Sequence, residues 1–130
     1  MTRQAKIILL TLVAALLVWF TWDAFNQPGV NDLQGGFKEV ATYRNENNTG
    51  PVIRVYAVTV ADPDKAEMEA YGNYMPHTKY GNTKVFFFSK DKLFPKAVFP
   101  GEENFPAEFQ QKVIGRYEKD AMGQVSFKKF

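Results

Sequence analysis

Apolar residues along the chain form one unbroken block and then a series of short, interrupted runs. The block is Ile7–Trp22, IILLTLVAALLVWFTW, which carries no charge and two threonines. No polar stripe divides it, so it does not read as one face of a soluble amphipathic helix. As a helix it rises about 24 Å at roughly 1.5 Å per residue, a little short of the ~30 Å hydrocarbon core of a bilayer. Arg3 and Lys6 precede it, and Trp19 and Trp22 stand near its far end as interfacial aromatics do. The pattern predicts a signal-anchor or transmembrane helix over residues 1–22. Its N-terminus is expected in the cytoplasm and the remainder outside a bacterial inner membrane, in the periplasm. A cleaved signal peptide is the alternative. It needs small residues at the cut, and the best site, Val13-Ala14-Ala15, would leave LLVWFTW as the new terminus. A cut after Ala24 places the bulky Trp22 in the recognition position.

Residues 23–36, DAFNQPGVNDLQGG, are mostly polar and punctuated by Pro28, Gly29, Gly35 and Gly36. They read as a tether with few contacts across it. Residues 37–130 then form the exported domain. FKEVATYR (37–44) and PVIRVYAVTV (51–60) have strand composition and are joined by a turn-rich loop, which predicts a hairpin. The second run is apolar on both faces, as in a strand covered on both sides. In ADPDKAEMEAYGNYM, Asp62 suits an N-cap, Pro63 the first helical position, and Met68, Tyr71 and Met75 one apolar stripe. The helix ends before Pro76.

Tyr-Gly-Asn occurs at 71–73 and again at 80–82, where glycine supplies backbone freedom at a helix end and at a turn. TKVFFFSK (83–90) is a strand. Phe-Pro recurs at 94–95, 99–100 and 105–106, holding each Phe on extended backbone. A short strand near Lys96–Phe99 and a turn or two of helix in PAEFQQK (106–112) are expected. KVIGRYEK and QVSFKKF flank DAMG, with Gly123 at the left-handed position of a hairpin loop. The element order is ββαββ(α)ββ. It predicts an α+β domain with a mainly antiparallel sheet and one or two helices on one face, and it admits a ferredoxin-like core.

Composition narrows the function. Sixteen basic and fourteen acidic residues leave a net charge of +2, which Arg3 and Lys6 account for. No basic stripe marks a nucleic-acid face. The absence of cysteine removes thiol chemistry, disulfides and thiolate metal sites. Twelve Phe and six Tyr suffice for a small aromatic core.

Candidate chemistry is sparse. His77, the sole histidine, has Met75, Thr78, Lys79 and Tyr80 as local neighbours and no evident catalytic partner among them. Met68, Met75, His77 and Met122 form at most a dispersed soft-metal set. Asn47-Asn48-Thr49 is a glycosylation sequon, meaningful only in a eukaryotic secretory setting. Neither a cofactor nor a metal is called for.

Two aromatic, Pro/Gly-shaped segments stand out as loops. They give a candidate binding surface of Tyr74, His77, Lys79, Tyr80, Phe94, Phe99 and Phe105. The expected function is non-enzymatic: an anchored domain binding a protein partner as an accessory or assembly subunit of an envelope complex. Two readings compete with it. One is a small-ligand domain with a pocket of Tyr74, Tyr80, His77 and Phe86 or Phe88. The other is an enzyme using His77, Lys79 and a distant carboxylate.

Overall fold

The computed structural model describes residues 2–25, 32–46 and 50–130. Helix α1 spans Arg3–Phe25, longer at both ends than the apolar block alone. Thr2 caps it: its Oγ1 accepts from Ala5 N at 3.2 Å. Thr11 and Thr21 each donate their hydroxyl to the carbonyl four residues back at 2.8 Å, so neither leaves a bare polar group on the helix surface. The apolar stretch Arg3–Ala24 is 22 residues long and none of it is covered by the rest of the chain. At roughly 1.5 Å per residue that is about 33 Å, long enough to cross a membrane. A signal sequence meets the same criterion.

The remaining elements are β1 (Phe37–Arg44), β2 (Ile53–Val60), α2 (Met68–Tyr74), β3 (Asn82–Ser89), a 3-10 helix (Ala107–Lys112), β4 (Val113–Lys119) and β5 (Val125–Lys129). They form an α+β domain on one five-stranded sheet in the order β1-β2-β3-β4-β5. The β1–β2, β3–β4 and β4–β5 pairs are antiparallel, and β2–β3 is parallel. The parallel pair needs a crossover, which α2 supplies. Strands in chain order are not the interleaved arrangement of a ferredoxin-like sandwich, so that expectation is not met.

Alternation along β2 and β3 sends side chains to two cores. Tyr56, Val58, Val60, Val85 and Phe87 pack under Met68 and Tyr71 of α2, with Tyr117 from β4. Val55, Ala57, Phe86 and Phe88 face the other way, under Val98 and Phe105. The second face is therefore covered by the Phe-Pro segment and not by an α-helix. Prolines at 95, 100 and 106 deny that segment both a ladder and an α-helix. The strand expected at 96–99 does not form. The helical turns expected after Pro106 appear as the 3-10 helix, on the face opposite α2. Buried Asn104 lets this irregular cover sit on a core: its Nδ2 donates to Phe99 O at 2.8 Å and to Gly101 O at 3.2 Å.

Two further expectations change. α2 begins at Met68 and not at Asp62. Residues 62–65 form a turn, closed by Lys65 N to Asp62 O at 3.3 Å. Glu67, at the helix start, spends its carboxylate on Gln34 N at 2.8 Å, and its own N–H on Gln34 O at 3.0 Å. The tether is thus docked at its far end. Leu33 packs on the α2-side core, and Gly35 O accepts from Ala61 N and Asp62 N. Residues 26–31 of the tether and the sequon at 47–49 lie outside the described residues.

Candidate functional site

The strand register builds the site. At the end of the sheet far from the tether, Arg44 pairs with Arg54, Arg54 with Thr83, and Thr83 with Lys119. Directly opposed residues share a face and lie about 5 Å apart. This row therefore places three cations and one hydroxyl side by side on the α2 face. Arg44 directly opposite Arg54 is a like-charge pair, which disfavours the pairing it sits in.

Above the row runs the loop from α2 to β3. His77 Nδ1 lies 3.0 Å from Thr83 Oγ1, and that hydroxyl lies 3.1 Å from Pro76 O. A hydroxyl has one proton, and Pro76 O can only accept. Thr83 therefore donates to Pro76, and His77 donates through Nδ1–H. Burial lowers the pKa of His77, Lys119 and Arg54 lower it further, and Asp120 opposes them. Arg54 Nη1 also donates to Thr78 Oγ1 at 2.8 Å, fixing the loop to the row.

Next comes a tight turn, with Gly81 N to Thr78 O at 2.8 Å. Its third residue, Tyr80, has φ 65°, and it alone of the described non-glycine residues has a positive φ. Glycine normally takes that place. Tyr80 is 63 % exposed, and Lys79 Nζ sits 5.1 Å from its ring centroid. Gly81 is glycine for another reason: a Cβ there would meet Val52 O at 2.4 Å. Gly72 likewise lies against the Tyr117 ring, 2.3 Å from where its Cβ would be. Both Tyr-Gly-Asn glycines thus serve close approach and not backbone freedom.

The β4–β5 turn completes the wall. Asp120 Oδ1 accepts from Met122 N and Gln124 N, both at 2.9 Å. Gly123 takes the left-handed position, φ 77°, as its place in DAMG predicted. Between this turn and the loop lies a cleft of about 320 Å³ lined by His77, Lys79, Tyr80, Lys119 and Met122, among others. Lys79 and Lys119 in this lining suit the reception of an anionic group such as a carboxylate.

The seven candidate residues do not form one surface. His77, Lys79 and Tyr80 share the cleft, and Tyr74 is exposed at the nearby end of α2. Phe94, Phe99 and Phe105 belong to the cover on the opposite face. Phe105 is only 2 % exposed, with ring centroids 4.9 Å from Phe86 and 5.4 Å from Phe88, so it offers no surface. Phe94 is half-buried, and Phe99 stands out. Phe86 and Phe88 are also committed to that core, so they line no pocket with His77. Met68 lies under Gly115 in the α2-side core, away from Met122.

Arg44, Arg54, Thr83 and Lys119 are site residues that sequence reasoning missed. They sit on separate strands, and only the cross-strand register brings them together. Comparison with protein-family models, curated proteins and solved structures returns no match.

Proposed function

We propose that the chain is a single-pass membrane protein, its N-terminus cytoplasmic and its sheet domain on the outer face. In this reading α1 stays attached as an anchor. The domain acts without catalysis and binds a protein partner in an envelope complex through the far end of its sheet. The cation row and the aromatic cleft suit acidic side chains on that partner.

One observation carries the reading. Tyr80 is a bulky, exposed aromatic held at φ 65° beside cations, where glycine would be less strained. A left-handed tyrosine costs about 1–2 kcal/mol, and its ring is mostly exposed. Strain kept at an exposed aromatic points to a use outside the fold.

The test is a photo-crosslinking amino acid at position 80 of the full chain in its native membrane. The reading expects an adduct with another protein that is lost when Arg54→Glu and Lys119→Glu are added. The same probe at Lys65, near the tether end, should give none. No adduct from position 80, or an adduct indifferent to both charge reversals, overturns the reading.

A further inference from the structure

The two ends of the sheet differ in what they expose, and the tether fixes which end stays near α1. The chain docks through residues 33–36 beside Ala61 and continues as β1 from Phe37. Phe37 pairs with Val60, Val60 with Ser89, and Phe88 with Val113. Lys90 N also reaches Val60 O at 3.0 Å. The Phe-Pro segment, residues 90–112, therefore leaves and rejoins the sheet at the tether end. Two strand spacings, about 10 Å, separate the start of β1 from Lys90. Phe130 is at this end as well, its N–H bonded to Ile114 O at 3.0 Å.

This end is apolar where it has no need to be. Leu93 is 72 % exposed and Phe130 62 %. Leu93 borders a groove of about 410 Å³ whose other walls include Phe94, Ala97, Pro106 and Phe109. Lys96 lines the groove, and Lys128 Nζ lies 5.1 Å from the Phe130 ring centroid. Long lysines beside exposed apolar groups can reach headgroups while the apolar parts enter the acyl boundary. Asp91, Glu102, Glu103 and Glu108 lie in the same segment, so apolar insertion has to hold the contact, with net charge adding little.

Chain reach decides the occupant. From Phe25 to Asp32 the chain spans at most roughly 25 Å at ~3.6 Å per residue. The far end of the sheet, with Tyr80 and Met122, lies about another 25 Å away along the strands. If α1 spans a bilayer, the tether end is the part of the domain held next to that bilayer.

We infer that the tether end is a membrane-contact face. Leu93, Phe130 and the groove beside Leu93 rest in the interfacial layer of the membrane that holds α1. That contact holds the cation row and the Tyr80 cleft outward. The inference rests on α1 being a retained anchor, as proposed above.

The chain has no cysteine, so single-cysteine spin labels report one site each. The full chain is placed in vesicles of phosphatidylethanolamine and phosphatidylglycerol, with labels at Leu93→Cys, Phe130→Cys, Met122→Cys and Val13→Cys in turn. Relaxation by lipid-soluble oxygen is compared with relaxation by a water-soluble nickel chelate. The inference expects labels at 93 and 130 to favour oxygen several-fold over the label at 122, and the label at 13 to be deepest. Labels at 93 and 130 as wet as the label at 122, with 13 still deep, overturn the membrane-contact face and leave the anchor standing. A wet label at 13 overturns the anchor and the inference with it.

Discussion

At the residue scale, two side chains in the α2–β3 loop carry opposite energetic signatures. Tyr80 is strained and His77 is satisfied. Replacing Tyr80 by glycine removes the left-handed penalty of about 1–2 kcal/mol but adds roughly 0.5–1 kcal/mol of chain entropy. Tyr80→Gly should therefore raise stability by about 0.5–1 kcal/mol, measured as a shift in the denaturant midpoint. A loss of stability would show that the ring is held by contacts that offset its strain.

His77 gives a pH dependence whose sign is fixed. Its folded pKa is depressed by burial and by Lys119 and Arg54, against about 6.5 in the unfolded chain. Below that value the unfolded chain takes up a proton that the folded chain resists. The contribution of His77 is present above about pH 6.5 and is lost as pH falls through the folded pKa. His77→Asn keeps a donor for Thr83 but does not titrate. Between about pH 5.5 and 7, the melting temperature of the native chain should fall on acidification more steeply than that of His77→Asn. Parallel curves would refute this assignment.

At the element scale, helix propensity and packing disagree at Gly72. Alanine in a helix is favoured over glycine by about 1 kcal/mol. Here its Cβ would fall 2.3–2.6 Å from atoms of the Tyr117 ring, whose hydroxyl is tied to Asn73 Oδ1 at 2.9 Å. Packing should win, so Gly72→Ala should destabilise by about 1–3 kcal/mol. The loss should shrink in a Tyr117→Leu background, because the two sites couple directly. An equal loss in both backgrounds would place the clash elsewhere.

The same helix shows where sequence legibility ends. Strands β1 to β5 were legible within about two residues, because alternation and β-branched runs are local signals. So were the buried Tyr71 and the left-handed Gly123. The start of α2 was not, because Asp62-Pro63-Asp64 carries good capping chemistry yet serves a turn whose Asp62 N–H donates to Gly35 O. The glycine roles were not legible either, since they depend on a Tyr117 ring and a Val52 carbonyl remote in sequence. Nor was the cation row: Arg54, Thr83 and Lys119 become neighbours only through the parallel β2–β3 register and the β3–β4 pairing.

At the scale of the whole molecule, one sheet is covered on one face by a helix and on the other by a proline-shaped segment. Both covers are anchored in aromatic clusters: Phe37, Tyr71 and Phe87 on one side, Phe86, Phe88 and Phe105 on the other. The domain therefore has its own cores, to which residues 33–36 are fastened, while α1 contributes none of its apolar stretch. An exposed helix of that composition is costly in water and comfortable in a bilayer. The account of a tethered domain stands on the retention of α1. Its most direct test is the intact mass of the chain recovered from washed membranes of the producing cells. A mass that includes residues 3–25, in the membrane fraction, is the predicted result. A soluble chain that begins at or beyond Leu16 would contradict it.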